Sequence, residues 1–585
     1  MSVRGSVLPA LLRLLRFIQP HRTLFKQAVG LLIVATIADV LGPWLIKIFI
    51  DDYLITGKWE AGPIAGLAIG YVLAACVAAG LNYLQAVRWH RIALNVVQDI
   101  RDQTFAKVMS LPLSYFDRVP TGSLISRLTN DTESIKDLYV NVLGTFVQNA
   151  VRVVGILVAM ALLDARLAML CALFLPVVIG LMIVYQRMST PLFQHARSLL
   201  SDINTRLHEA IQGMSVVQML NQEATFRARF SQTAQAHYRA RLRNLRLDAL
   251  MLRPFVDLMH TVTLILLLGM FGYQALTATV ELGVIYAFVN YLGRFTEPIV
   301  EITQRLSILQ QALVAGERVF SVLDEPNKPK TDPRAAAITD GGIAFDDVAF
   351  SYDGKQQVLR GVSFDIPPGT FCAVVGPTGS GKSTLTQLLL GFYELNKGAI
   401  RIDGVRIEDY SSAQLRTGMG VVQQDTFVFS DSVAANIAFG RRVSHEQIVE
   451  AARQVGLHDF IMSSPAGYDA VLGERGNDWS TGQRQLLSLA RALVITPKIL
   501  ILDEATANID SQTESVILST LEQLRGSITL LVVAHRLSTV TGADQIIVLH
   551  RGQLAEKGTH RELLMSRGIY HRLHQLQAFH FDRVQ

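Results

Sequence analysis

Hydrophobic positions along this chain fall into two regimes. In the first three hundred residues they form long runs, at about 24–49, 62–85, 137–162, 167–187, 250–276 and 281–302. Each run approaches the ~20 apolar residues that an α-helix needs to cross the hydrocarbon core of a bilayer. Beyond about residue 341 the runs shrink to short strands such as Phe371–Val375, Lys498–Leu502 and Thr529–Val533, which alternate with helical patterns and Gly-rich turns. Short, uninterrupted apolar strands suit a sheet covered on both faces. The expected fold is an α-helical transmembrane domain of six spans over 1–322, a polar, proline-rich linker over 323–340, and an α/β domain over 341–585.

Between the second and third runs, and between the fourth and fifth, helical periodicity persists in sequence too polar for lipid, as in Ala196–Ile211. These stretches read as membrane helices prolonged into water. Breaks at Leu111–Arg118, followed by Pro120-Thr-Gly122, and at Gln212–Leu220 would turn the chain. Short helices there would be well placed to touch a cytoplasmic domain. The first extension carries Arg88, Arg91, Arg101, Lys107, Arg118, Arg127 and Lys136, and the second carries nine arginines from Arg187 to Arg246. The alternate connections offer little beyond Lys58 and Arg166. The positive-inside rule therefore puts both extensions, both termini and the α/β domain in the cytoplasm. Pro9–Gln19 sets Arg13 and Arg16 against an apolar face, as expected of a helix in the membrane interface, with packing on protein as the alternative. No cleaved signal peptide is expected.

Composition supports the membrane reading: 50% of the 585 residues are hydrophobic, 18% are charged, and the mean hydropathy is +0.31. A wholly soluble globular chain seldom has that balance. The net charge of +5 reflects cytoplasmic Lys and Arg, and no nucleic-acid partner is expected. Cys76, Cys171 and Cys372 show no metal or disulfide spacing, and each is expected to be a small buried residue. Polar residues within the runs (Asp39, Asn82, Gln148, Asn149, Arg152, Asp257, His260, Asn290 and Glu297) are expensive in lipid and should face a cavity or one another. Arg152 and Glu297 can carry charge and are the candidate substrate-cavity residues.

The α/β region holds the clearest chemistry. Gly376, Pro377, Thr378, Gly379, Ser380, Gly381, Lys382 and Ser383 fit G-x-x-x-x-G-K-[ST] in full, after an apolar strand and ahead of a helical run that opens with Thr384. Glycines let successive backbone N–H groups curl around phosphate oxygens, and the following helix points its positive end at them. Lys382 is expected to reach the β- and γ-phosphates and Ser383 to hold Mg²⁺, so a nucleoside triphosphate is the expected ligand. Ile499–Glu504 is an apolar strand ending in two carboxylates. Asp503 would orient Mg²⁺ or its water ligand, and Glu504 would polarise the attacking water.

The P-loop, "ILILDEATANID" at 499–510 and "AHRL" at 534–537 resemble the nucleotide-binding domain of ATP-binding cassette (ABC) transporters. Six spans ahead of one such domain resemble half of an exporter. "DLYVNVLGTF", "YQRMSTPLF", "LGVIYAFVNYLGRFTEPIVEIT" and "LQQALVAGERVF" are similar to subunits of bacterial heterodimeric multidrug-resistance-like exporters, which implies the bacterial inner membrane. The resemblance implies ATP and Mg²⁺ as cofactors. It implies Tyr352 as the aromatic on which adenine stacks, Gln424 (with Gln423 as the alternative) as the glutamine that senses Mg²⁺, and His535 as the switch histidine. It also implies Asp510 as an acid communicating across a dimer, and Glu474 in a coupling loop.

In the family's Leu-Ser-Gly-Gly-Gln signature slot this chain has Trp479-Ser-Thr-Gly-Gln483. Ser480, Gly482 and Gln483 match, whereas Trp479 and Thr481 depart. A threonine adds a branched Cβ where backbone must approach the partner's phosphate, and it disfavours φ > 0. Poorer closure and slow hydrolysis are expected at the site using this signature. An intact Glu504 beside it points to a heterodimer with a second half-exporter, a homodimer being the alternative. The expected substrate is a small amphipathic compound, with a lipid flippase or peptide exporter as alternatives; a nucleotide-gated channel or regulatory subunit is the reading from another class.

Overall fold

The computed structural model describes residues 7–251, 253–276, 281–327, 337–473, 476–503, 509–534 and 536–581. These divide into two compact units. The first comprises 1–110 and 119–326, and the second comprises 111–118 and 327–585.

Among the described residues, six helical segments of the first unit are long and apolar enough to cross a membrane, as expected: Gln19–Leu54, Ala61–Ser110, Thr121–Leu163, Ala165–Gln212, Glu223–Tyr273 and Leu282–Leu323. They run from 36 to 51 residues, against the ~20 that a bilayer requires. The excess is the polar prolongation seen in the sequence. The helices used below are α1 (Val7–Arg16), α2 (Arg22–Phe49), α3 (Ala61–Ser110), α4 (Leu113–Arg118), α5 (Thr145–Leu163), α6 (Ala165–Gln212), α7 (Met214–Met219), α8 (Glu223–Met251), α9 (Arg253–Ala275) and α10 (Leu282–Leu323). The expected turns are formed by the short helices α4 and α7. Cys171 and Cys372 are buried as anticipated, but Cys76 is exposed on α3. It lies in an apolar stretch of a candidate span that this chain leaves uncovered, so hydrophobic neighbours in sequence do not by themselves signal a protein core.

The amphipathic N-terminal stretch packs on protein through α1. Leu14 is fully buried and its carbonyl accepts from the Tyr139 hydroxyl at 2.6 Å. Arg13 grips Asp324, just past the end of α10, through both guanidinium nitrogens at 2.6 and 2.8 Å. The same guanidinium lies 4.2 Å above the Phe320 ring, on which Phe17 also stacks.

Among its described residues the second unit has two sheets. One is antiparallel, ordered β2 (Leu359–Ile366), β1 (Ile343–Phe350), β4 (Lys397–Ile402), β5 (Val405–Arg406). The other is ordered β10 (Gln553–Gly558), β9 (Gln545–His550), β3 (Phe371–Val375), β8 (Thr529–Val533), β7 (Ile499–Asp503), β6 (Met419–Val422), all parallel except the edge strand β10. Every residue of β3 and β8 is buried. Full burial on both faces is what their unbroken apolar runs require: helices cover one face, and the antiparallel sheet with the helix after the 376–381 loop covers the other. The helices used below are α11 (Lys382–Leu389), α12 (Thr481–Leu493), α13 (Ser511–Leu524) and α14 (Ile569–Phe581).

Candidate nucleotide site and membrane cavity

The parallel strands end together. Val374 and Asp503 both pair with Val533, and Val422 pairs with Leu502. The 376–381 loop, Asp503, Ala534 and the segment bearing Gln424 therefore leave one edge of the sheet. In open α/β sheets ligands bind in the crevice outside the carboxyl ends of the strands.

The loop after β3 holds Gly379 and Gly381 at φ of 79° and 103°, the left-handed region that glycine enters without steric cost. A Cβ on Gly381 would also lie 2.6 Å from Leu359. Lys382 is buried, and its ammonium donates to the carbonyls of Gly376 and Pro377 at 2.9 and 3.2 Å. It thus lies across the loop, with Ser383 and Thr384 following it in the first turn of α11. Ser380 is buried too, and among the described residues its hydroxyl oxygen has no hydrogen-bond partner. A cleft of about 160 Å³ beside the loop is lined by Gly376, Pro377, Thr378, Ala534, Leu537 and Gln577.

Tyr352 stands half exposed. Its hydroxyl bonds Thr384 Oγ1 at 3.1 Å and donates to Gln387 Oε1 at 2.7 Å, which ties the ring to α11. Its ring meets Phe350 and Tyr393 edge-to-face at 4.8 and 5.1 Å. The Tyr393 hydroxyl donates to Asp117 of α4. Burial raises the Tyr393 hydroxyl pKa, and the bond to Asp117 raises it further. The short helix between the second and third spans is thereby joined to the aromatic group beside the P-loop.

The altered signature stretch opens α12. Ser480 is the N-cap: its hydroxyl accepts from Gln483 N at 3.2 Å, and Gln483 Oε1 accepts from Ser480 N at 2.9 Å. This reciprocal capping box satisfies two otherwise orphaned donors. Thr481 is the first helical residue and its φ is not positive. The expectation that threonine would be strained here through φ is thus corrected. A helical N1 position suits any L-residue, and only the added side-chain bulk remains. Arg484 donates to Thr481 Oγ1 at 3.3 Å and to the carbonyls of Gly476 and Trp479. Trp479 packs edge-to-face on Phe460 at 5.2 Å. Gly482 is needed for space, since a Cβ there would lie 2.6 Å from Thr513 Oγ1 and 3.0 Å from Asp510 Oδ1. Asp510 caps α13 by accepting from Thr513 N at 2.9 Å, and that bond holds its carboxyl below the usual carboxylate range. The structure therefore brings the signature and Asp510 together.

Gln424 follows β6, and its carbonyl accepts from Gln485 Nε2 at 2.9 Å. Glu504, His535 and Glu474 lie outside the described residues. Gln485 and Arg491 were not singled out from the sequence. The available signal was a glutamine and an arginine on the same helix as a row of buried leucines.

In the first unit, a cavity of about 680 Å³ is walled by α2, α5, α9 and α10. Pro43 explains part of its shape. Proline has no N–H, so the Asp39 carbonyl four residues earlier loses its helical partner. Arg294 of α10 donates to that carbonyl at 3.0 Å, and the Tyr291 hydroxyl donates to Val40 O at 2.6 Å. Asn149 donates to Pro298 O at 3.3 Å and to Glu301 at 3.1 Å. Arg152 and Glu297 both line the cavity, together with Asp39, Asn149 and Asp257 from the wider set of intramembrane polar residues, and with Arg294 and Glu301. Arg294 was not flagged from the sequence because the carbonyl it serves is freed by a proline on another helix. Among the described residues, the side chains of Arg152, Asp257 and Glu297 make no hydrogen bond or ion pair.

Comparison with known proteins agrees with this geometry. A family model for the ABC transporter transmembrane region matches residues 28–299, and the model described as ABC transporter matches 359–507. The "Multidrug resistance-like ATP-binding protein MdlB" of Buchnera aphidicola subsp. Schizaphis graminum is 40% identical over 98% of this chain and 98% of its own. The "ATP-dependent lipid A-core flippase" of Syntrophus aciditrophicus is 33% identical over 98% and 95%. A solved structure, "Structure of a bacterial Atm1-family ABC exporter with ATP bound", superposes with a TM-score of 0.79 at 27% identity, covering 95% of this chain and 98% of that one.

Proposed function

Because this chain belongs to the ABC transporter family, as a half-transporter with one membrane domain ahead of one nucleotide-binding domain, we propose that it exports amphipathic compounds across the bacterial inner membrane as one half of a heterodimer. The observation that carries the ATP-driven part is the common strand edge at which the P-loop, Asp503 and the Gln424 segment meet. Coupling of ATP hydrolysis to transport follows from that domain and its family.

Ser383, Gln424 and Asp503 offer hydroxyl, amide and carboxylate oxygens, the hard donors that Mg²⁺ takes, so the residues present fit the ion. When bound, Mg²⁺ would offset charge on the transferring phosphate. The chain's own groups do the rest. The 376–381 backbone and Lys382 hold the phosphates, Tyr352 supports adenine, Glu504 accepts a proton from the attacking water, and His535 steadies the γ-phosphate. Ser480, Thr481, Gly482 and Gln483 face the partner's nucleotide, with Asp510 alongside. A Thr481 side chain where the family's glycine offers bare backbone, beside an intact Glu504, supports an unequal pair. Between the spans, α4 gives closure of the ATPase domains a covalent route into α3. Arginine-rich prolongations support a cytoplasmic ATPase domain with both termini on that side. The unpartnered Arg152, Asp257 and Glu297 support the α2–α5–α9–α10 cavity as the substrate path, since unpaired charge at membrane depth is otherwise costly. A relative named as a lipid A-core flippase favours lipid as the second reading.

Purification of the tagged chain from its native membrane tests the proposal. A second, different half-transporter in equal amount, and ATP-dependent movement of a fluorescent amphipathic dye in vesicles, are expected. Recovery of this chain paired only with itself would overturn the heterodimer, and stimulation of ATP hydrolysis by lipid but by no dye would favour the second reading.

A further inference from the structure

Six charged side chains line the cavity of the first unit, and half of them are already engaged. Arg294 donates to the Asp39 carbonyl at 3.0 Å, the Asp39 carboxylate accepts from Asn82 at 3.4 Å, and Glu301 accepts from Asn149 at 3.1 Å. Arg152, Asp257 and Glu297 have no such partner among the described residues. The open set therefore holds both signs of charge.

Bonds between the walls fix the depth of two of these groups. Asn149 of α5 donates to the Pro298 carbonyl and to Glu301 of α10, so these residues share a level. Successive spans cross in alternate directions, so α5 and α10, in the third and sixth spans, are antiparallel. Arg152 lies three residues beyond Asn149, and Glu297 lies two to three residues before the midpoint of 298–301. Each step is about 4 Å along a helix, and both go toward the same side of the membrane. Arg152 and Glu297 thus stand at one depth on two walls of one cavity, with opposite charges and no ion pair between them. Opposite charges attract strongly where the dielectric is low, and a lone charge at membrane depth is costly. A ligand with one charge would satisfy one wall and leave the other bare, whereas a ligand with both signs satisfies the two together. About 680 Å³ of space, with Ile156 and Val256 on its walls, suits a drug-sized body that is mostly apolar.

We propose that this cavity selects zwitterionic amphiphiles. Arg152 takes the ligand's carboxylate or phosphate, for which a guanidinium offers two parallel donors, and Glu297, with Asp257, takes its ammonium. The inference rests on the reading of the cavity as the substrate path and narrows that reading to a charge class. A zwitterionic lipid headgroup and a free zwitterionic solute share this chemistry, and the test separates the two sources.

The test uses the assembled transporter in vesicles of phosphatidylglycerol, which is not zwitterionic and does not compete. The probes are a fluorescent dye bearing an ammonium and a carboxylate, its methyl ester, which keeps the cation and loses the anion, and phosphatidylcholine labelled on its acyl tail. ATP-dependent movement of the acid form is expected to exceed that of the ester about tenfold. Arg152→Gln should bring the acid down to the level of the ester, Arg152→Lys should restore part of the difference, and Glu297→Gln should lower both. Preference for the dye identifies a free solute and preference for the phosphatidylcholine a lipid; either supports the proposal. Equal movement of acid and ester, movement of the ester but of neither zwitterion, or an equal loss of acid and ester in Arg152→Gln would overturn it. A Cβ at Gly293, on the cavity wall, meets nothing within 4 Å, so Gly293→Phe fills the space and keeps the two readings apart. If every probe still moves, the cavity is not the path and the proposal falls with that reading. If movement stops in Gly293→Phe while the wild type treats acid and ester alike, the path stands and the charge class is wrong.

Discussion

The P-loop edge and the membrane cavity both gather charged and polar groups, but they treat them in opposite ways. Across the nucleotide-binding domain the groups are held: Lys382 lies across its own loop at the edge and, at the signature, Ser480 and Gln483 cap each other while Asp510 caps α13. In the cavity, Arg152, Asp257 and Glu297 are left without partners among the described residues. A preorganised site recognises one ligand, whereas unpaired groups around a large space accept ligands that vary in shape and agree only in carrying polar features. Under the function proposed above, the contrast would separate an engine with one fuel from a passage for varied cargo, and it can be tested at both ends.

The largest effect should come at the fixed end. Glu504→Gln is expected to lower kcat for ATP at least ~100-fold, within the range ascribed to general-base catalysis, with nucleotide binding retained in a filter assay. Turnover at the wild-type rate would sink the assignment. Gly482→Ala places a methyl 2.6 Å from Thr513 Oγ1, an overpacking that typically costs about 1–3 kcal/mol. A lower melting temperature and reduced kcat are expected, both partly restored when Thr513→Ala clears the space. No recovery in the double variant would show that the crowding lies elsewhere.

The cavity should respond differently. Asp257→Asn with Glu297→Gln is expected to weaken export of a cationic dye about tenfold, or ~1.4 kcal/mol, while basal ATP hydrolysis stays within about twofold. Equal loss for neutral and cationic dyes would remove charge recognition from this cavity. The smallest effect concerns Asp510. Its folded pKa is depressed, chiefly by the Thr513 backbone N–H, so its contribution to stability is present above the ordinary carboxylate pKa and lost as pH falls through the depressed one. Asp510→Asn should flatten that acid-side part of the melting curve against pH. An unchanged slope would mean that the cap contributes no pH dependence.

The same contrast explains what the sequence revealed. The P-loop was legible because its glycines, lysine and serine must occur in a fixed order on consecutive backbone units. Arg152 and Glu297 were legible because charge within an apolar run is anomalous by itself. Arg294 was not, since its role depends on Pro43 freeing a carbonyl on another helix. Gln485 and Arg491 were missed for a similar reason: what they hold lies some sixty residues earlier in the chain. Thr481 shows the reverse error. A motif comparison treated its glycine counterpart as a conformational need, but the helical backbone here places no such demand, and Gly482 carries the spatial constraint.

The docking of α1 has a consequence for how the molecule is made. Arg13 and Asp324 are 311 residues apart in sequence. At roughly 5–20 residues per second, synthesis takes on the order of 15–60 s to deliver the second after the first. During that interval α1 can meet the earlier part of its seat, around Trp89 and Tyr139, but not Phe320 or Asp324. Its docking is therefore completed in two stages, and the ion pair and the stacked ring close it only after the last span has been delivered.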